Sequence, residues 1–345
     1  MTSVVHSVRL PIASTPSVKV GARVQPEDVL ATRRPPSDGV TLQVAAALRR
    51  PAESASEHLV ARPGALLQRG ELLARGGRGR EVTVPQACLF LGYDPDHGTA
   101  LLSPLGVEEP IVSHVRGRVT RVTPSTIDVR VAGAVVVGVA GSGAAVHGKL
   151  RVAVHDAAEE LRAGAIDSDT TGRIVVGGSR ASAETLTRAR AMGVAGVVLG
   201  GVLDKDLRDF EATQARRREV GGAGGDFSIV LLEGYGKIGM DPGVFDWLRR
   251  HDGKMVSLFG DDARLYVYDA DEPPTRRLLV RAGDRVVGTR RPYAGAGGRL
   301  VRILGGLHVV SSGISARSGL VRFEDGRTGI VPLANLEATE VAASG

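Results

Sequence analysis

The residues with the strongest chemical character are Gly177-Gly178-Ser179, which precede Ser182 at the expected start of a helix. Glycines at such a position leave backbone N–H groups facing outward, with the positive end of a helix dipole behind them. That arrangement suits an anion. The same residues also suit a tight structural turn, and both readings stand at this level. The spaced glycines and trailing Lys-Ser/Thr of a P-loop are missing, and so are the three spaced glycines of a dinucleotide fingerprint.

Other chemistries find fewer footholds. The histidines are His6, His58, His97, His114, His147, His155, His251 and His308. No two lie four residues apart, and no His-Glu-x-x-His is present, so no metal ligand set is assigned. Tyr93-Asp94-Pro95-Asp96-His97-Gly98 has carboxylates beside a histidine, but Asp, Pro and Gly are above all turn formers. Cys88, in Ala87-Cys88-Leu89-Phe90-Leu91, is the sole cysteine and reads as a small buried hydrophobe. One cysteine excludes an intramolecular disulfide and a cysteine-based metal cluster. Neither a Gly-x-Ser-x-Gly elbow nor a catalytic Cys-His arrangement assembles. No catalytic residue and no cofactor is expected, which leans against an enzyme.

A second cluster is cationic. Arg290, Arg291, Arg299 and Arg302 gather around Pro292 and the paired Gly297-Gly298, with Tyr293 as the only aromatic ring among them. Guanidinium groups so placed can contact phosphates, whereas one ring offers little for reading bases. Net charge is +6, distributed as +5 over residues 1–150, −3 over 151–270 and +4 over 271–345. The last stretch has the highest positive charge per residue and is the best place for an anionic partner. Arginine is also the general surface cation of a chain with five lysines, so a protein-docking role for the same stretch stays open.

The elements that position these residues fall into three stretches. Gly21-Ala22-Arg23-Val24-Gln25-Pro26-Glu27-Asp28-Val29-Leu30-Ala31 recurs 43 positions later as Gly64-Ala65-Leu66-Leu67-Gln68-Arg69-Gly70-Glu71-Leu72-Leu73-Ala74. The pattern reads as turn, short strand, turn, short strand. A closing hairpin is expected from Gly117–Val122 and Ile127–Val131. This repeat resembles the half-motif of barrel-sandwich hybrid domains, the fold of biotinyl and lipoyl carriers and of related hammerhead modules. The carrier function does not follow, because no lysine lies between the copies, where Arg33-Arg34 and Arg49-Arg50 stand instead. A guanidinium is not an acylation nucleophile. The resemblance implies a scaffold or docking surface over residues 1–150.

Residues 151–270 read as an α/β domain. Strand Ile174–Val176 leads to a helix capped by Ser182 and ended by Gly193, and strand Val197–Leu199 follows, a parallel βαβ unit. Ile229–Leu232, a helix opening at Asp241-Pro242, and Met255–Phe259 repeat the order. Asp204–Val220 is expected as a charged helix, with Arg216-Arg217-Arg218 near its end complementing the dipole. The unit is loosely similar to the swivelling phosphohistidine domain, but Ser179-Arg180-Ala181-Ser182-Ala183 lacks the reactive histidine.

After the acidic, proline-containing linker Asp269–Pro274 come Leu278–Val287, with Gly283-Asp284-Arg285-Val286, and Arg290–Ile303. A hairpin with a two-residue Asp325-Gly326 turn and the closing run Val331–Glu337 complete residues 275–345. This order resembles the KOW motif of SH3-like barrels in ribosomal proteins and transcription elongation factors, and implies contact with RNA or DNA phosphates.

The expected fold class is therefore multidomain and mainly β: a barrel-sandwich hybrid-like domain, a central βαβ domain and an SH3-like barrel. Aromatic residues make up only 3% of the chain, so cores of Val, Leu, Ile and Ala are expected. The start of the chain lacks a basic region followed by an apolar run, and Val131–Val146 is too short and glycine-rich to span a bilayer. A cytoplasmic protein without membrane insertion is expected. The leading expectation is an adaptor bound to a large protein or ribonucleoprotein assembly of transcription or translation. The alternatives are a structural subunit of a membrane-associated complex, and an enzyme or sensor holding an anionic small molecule at Gly177-Gly178. Oligomeric state is left open.

Overall fold

A computed structural model describes residues 2–219, 226–274, 280, 282–310 and 315–340, with the side chains of 215, 217–219 and 340 left aside. Val220, Leu278, Leu279 and Arg281 of the expected elements, and the Arg217 and Arg218 side chains, lie outside the described residues. The chain is mainly β, as its turn-rich, aromatic-poor composition implies. It divides into two compact units. One is Ser7–Ser113 with Arg118–Val129; the other is Met1–His6, His114–Gly117 and Arg130–Gly345.

In the first unit the two copies of the repeat form the same local structure. Gln25 N–H donates to the Asp28 carboxylate at 2.7 Å, and Gln68 N–H donates to the Glu71 carboxylate at 2.8 Å. Asp28 N–H and Glu71 N–H return bonds to the Gln25 and Gln68 carbonyls at 3.1 and 3.0 Å. The shared Gln-x-x-acid signature is thus a turn in which one carboxylate satisfies the backbone. The following Leu30-Ala31 and Leu73-Ala74 are wholly buried. The copies join different sheets. Val29–Arg33 lies between Glu109–Val112 and Ser14–Pro16, whereas Leu72–Arg75 pairs with Glu81–Thr83. A separate core of Val44, Leu48, Leu73, Phe90 and Leu102 holds the four-stranded sheet of this unit.

The second unit is built on one large sheet. Ala145–Val152, Ile174–Val176, Gly196–Val202 and Ser228–Tyr235 run parallel and side by side. Met255–Phe259, Arg264–Tyr268 and part of Thr126–Val137 continue the sheet antiparallel beyond Ala145–Val152. The helices fall where their caps predict. Ser182 Oγ accepts from Thr185 N–H at the start of Ala183–Ala191, and Asp241 accepts from Val244 N–H ahead of Pro242–Arg250. The parallel layer begins one strand earlier than the sequence suggests. Ala145–Val152 alternates buried and part-exposed residues instead of running continuously apolar, so its pattern does not announce a central strand. The core is mostly Val, Leu, Ile and Ala, with Phe210, Phe227, Phe245 and Met240 beside the fully buried Trp247.

The same unit holds an antiparallel five-stranded sheet, ordered Thr328–Pro332, Ser318–Phe323, Gly297–Ile303, Arg285–Gly288, Leu336–Glu340. Its hairpin departs from the expected two-residue turn. Phe323 N–H bonds the Arg327 carbonyl at 2.8 Å, so three residues, Glu324-Asp325-Gly326, make the loop. Gly326 at φ +83° supplies the left-handed residue that such a loop needs. Strands His308–Val309 and Ser315–Ala316 leave this sheet and extend the large one through Ala140–Ser142. No helix among the described residues is long and apolar enough to cross a membrane.

Candidate functional site

The Gly177-Gly178-Ser179 turn lies at the carboxyl end of Ile174–Val176, and the Gly177 and Ser179 donors are engaged by the protein itself. Gly177 N–H donates to the Val198 carbonyl at 2.9 Å and Ser179 N–H to the Glu159 carbonyl at 2.8 Å. A Cβ at Gly178 would strike the Asp156 and Glu159 carbonyls, and one at Gly200 would meet Ile238 O and Met240 N at 2.5 and 2.6 Å. These glycines admit neighbouring backbone. At the helix that follows, Ser182 Oγ accepts from Thr185 N–H at 3.2 Å and Asp206 Oδ1 from Ala183 N–H at 3.4 Å. A carboxylate of the chain occupies the place an external anion would take, and Arg180 nearby is held by Glu160 at 3.0 Å.

The Asp94–Gly98 turn is also self-contained. Asp94 accepts from the Asp96 and His97 N–H groups and contacts His97 Nδ1 at 2.8 Å. The His97 hydrogen bond holds the Asp94 carboxyl below its ordinary range. Cys88 is buried, and desolvation pushes its thiol up, away from the reactive thiolate. Among the described residues no three His, Cys, Asp or Glu side chains are grouped to hold a metal ion.

The arginines of the C-terminal sheet are arranged differently. Arg299 is the register partner of Arg285 on one side and of Arg322 on the other. All three are exposed, so three guanidinium side chains stand abreast across three strands. Directly opposed Cα atoms in antiparallel sheets are about 5 Å apart. Arg302 joins the same face through a bulge. Residues three apart on a regular strand face opposite ways, but the register shifts between Leu300 and Arg302, and Val301 is the extra residue. Leu300 remains in the core and Arg302 returns to the outside, in a row with Leu320 and the exposed Ile330.

Anionic groups only partly offset this row. Arg285 contacts Glu324 at 3.4 Å, and Arg299 donates to the Gly283 carbonyl at 2.9 Å. Arg322 and Arg302 have no hydrogen-bond or ion-pair partner among the described residues. Arg285 and Arg322 were not part of the sequence-derived cluster. The alternation of Arg322 with Val321 and Phe323 places it outside, but its position beside Arg299 is a matter of register.

Arg290 and Arg291 do not share that face. With Tyr293, Tyr235, His308 and Asn335 they line a cavity of about 360 Å³, to which Ile330 also contributes. Arg290 Nη2 lies 3.5 Å from the Tyr235 carbonyl, over the carboxyl end of Ser228–Tyr235. Tyr293 stacks on Phe323, with ring centroids 4.7 Å apart and planes at 17°, so one face of its ring belongs to the core. Burial beside Asp204 and Glu211 pushes the Tyr235 phenol far above its ordinary value. Compared with models of known protein families and with curated proteins, the chain matches none.

Proposed function

We propose that the chain is a non-catalytic adaptor that docks on the phosphate backbone of RNA or DNA through the outer face of its C-terminal sheet. The observation that carries this reading is the register-matched row Arg285-Arg299-Arg322, with Arg302 turned onto the same face by a bulge. Like charges directly opposed across strands destabilise a sheet, and an extended polyanion offsets that cost. Guanidinium groups pair with phosphate oxygens in two-pronged geometry. Tyr293 is stacked into the core, so the contacts favour backbone over base identity.

The fold and the sequence support a finer version. A four-strand meander with the last strand returning beside the first is the strand order of SH3-like barrels, and Gly283-Asp284 with Gly297-Gly298 suits the KOW motif. On that resemblance the partner is a ribonucleoprotein or transcription assembly. The N-terminal repeat, without a carrier lysine, serves it as a scaffold or docking surface.

Titration of the full chain with labelled single strands and duplexes of unrelated sequence, across a salt series, tests the reading. Binding is expected to be strongly salt-dependent. Arg299→Gln and Arg322→Gln should each lower the magnitude of the log–log salt slope by about 0.7 to 0.9, equally for every sequence. Arg69→Gln, on the other unit, should change nothing. No salt-sensitive binding at about 50 mM salt, or slopes untouched by both variants, would overturn it.

A further inference from the structure

We infer that the open edge of strand Thr328–Pro332 takes an extended acidic peptide as an added strand, with its main chain on Ile330 and its carboxylates on Arg290 and Arg291. This edge is separate from the outer arginine row, so the peptide site and the phosphate-binding face stand or fall independently.

The main chain of that edge is laid out for pairing. Phe323 N–H bonds the Arg327 carbonyl and Leu333 N–H the Arg317 carbonyl, both at 2.8 Å. Bonded and non-bonded pairs alternate along an antiparallel ladder, so Gly329 and Val331 turn their backbone polar groups towards Ser318–Phe323. Thr328 and Ile330 turn theirs the other way. Thr328–Pro332 is the last strand on its side of the sheet, and neither Thr328 nor Ile330 has another backbone partner among the described residues. Pro332 fits the same layout, because its missing N–H would point to the open side. Edge strands are commonly guarded by charges or bulges. The opposite edge, Leu336–Glu340, carries Glu337, Glu340 and a register shift against Arg285–Gly288. Thr328–Pro332 runs Thr-Gly-Ile-Val-Pro in unbroken register.

The cavity of about 360 Å³ lies along this edge. Ile330, Val331 and Pro332 all line it, and successive side chains on a strand face opposite ways, so what the three share is the strand edge itself. Ile330 is 51% exposed and Val309, on the same wall, 74%, which suits an apolar side chain of the added strand. Charge selects the rest of the occupant. Arg290 and Arg291 line the cavity and are exposed, and Asp204, the carboxylate on its wall, is held by Arg208 of its own helix at 3.1 Å. An acidic peptide answers both the guanidinium groups and the unpaired edge, by the strand addition that open sheet edges support. A second copy of this chain fits less well. Arg322 is the register partner of Thr328, and Arg302 of Leu320, so pairing two such edges would bring two arginine rows together.

Two end-capped peptides, Glu-Val-Glu-Val-Glu-Val and Lys-Val-Lys-Val-Lys-Val, titrated into the full chain, are the test. The acidic peptide is expected to bind at least about tenfold more tightly than the basic one. Changing Arg290 and Arg291 together to Gln, both at exposed positions, should weaken it by about tenfold. Arg299→Gln, on the outer face, should leave peptide affinity unchanged. Main-chain pairing is read directly by amide hydrogen exchange. The Ile330 amide should exchange freely in the unliganded chain and slow by at least about tenfold when the acidic peptide saturates, while the Val331 amide, already in the ladder, changes little. An Ile330 amide whose exchange the acidic peptide leaves unchanged would overturn the added strand. Protection of Ile330 in the unliganded chain that fades on dilution would overturn the peptide in favour of a second copy. Equal affinity for the two peptides, or no binding of the acidic one at about 1 mM, would overturn the site whatever the outer face binds.

Discussion

His6 makes the stability of the second unit depend on pH, with a sign and size that follow from its surroundings. The ring is 5% exposed, contacts Tyr266 Oη at 3.0 Å through Nδ1, and lies 4.7 Å from the Phe259 ring. Burial lowers its pKa from 6.5 to about 4, with Arg264 and His114 adding to the effect and Asp262 opposing it. The unfolded chain therefore takes up this proton first as pH falls. The associated stability is complete above pH 6.5, is lost between 6.5 and about 4, and changes no further below. The gap between the two values corresponds to about 3 kcal/mol, of which about 2 kcal/mol disappears between pH 7 and pH 5. His114, lowered by burial and by His147, acts in the same direction. Trp247, the sole tryptophan, is fully buried in the same unit, and its fluorescence reports urea unfolding there. The His6→Gln variant should lose about 2 kcal/mol less than the parent chain between pH 7 and pH 5, whatever its stability at pH 7. A difference under about 0.5 kcal/mol would refute the argument that the buried ring is kept neutral.

Two local substitutions test the frame around the site. Ser182→Ala removes the acceptor of Thr185 N–H and should cost about 1 kcal/mol by urea unfolding, with Ser182→Asp restoring most of it. Gly133→Ala places a Cβ against the Val267 carbonyl at φ +139°, and should cost at least about 3 kcal/mol or prevent folding, read as loss of the cooperative Trp247 transition.

Local features were legible because local chemistry decides them. Ser182, Asp241-Pro242 and Gly193 act within a few residues of themselves, and the helices start and stop at them. The repeat was equally plain, since Asp28 and Glu71 each bond a backbone group three residues away. Non-local features were not. That Arg299 stands between Arg285 and Arg322 depends on the register of three strands, and that Arg302 joins them depends on one extra residue at Val301. Whether the Gly177 and Ser179 donors are free depends on chain some twenty residues upstream and downstream.

How the parallel strands end decides which of their ends stay open. Open α/β sheets bind ligands in the crevice beyond the carboxyl ends of their strands. Here that crevice beyond Ile174–Val176 and Gly196–Val202 is filled by the chain. Met240 N–H bonds both the Ala157 and the Gly178 carbonyls at 2.9 Å, and Gly201 N–H bonds the Ser179 carbonyl at 2.7 Å. Backbone donors spent in this way hold segments 156–159 and 238–240 against the strand ends, and the glycines are what let them approach. The neighbouring strand, Ser228–Tyr235, ends otherwise. Gly234 brings Ala334 of the Leu333–Asn335 turn against it, so the C-terminal sheet, not a loop of the α/β layer, covers that end. At that end Tyr235 Oη and Asn335 Oδ1 are shut away from solvent, with no hydrogen-bond partner among the described residues. The α/β layer is thereby closed at three of its parallel strand ends by the chain itself, twice by loops and once by the C-terminal sheet.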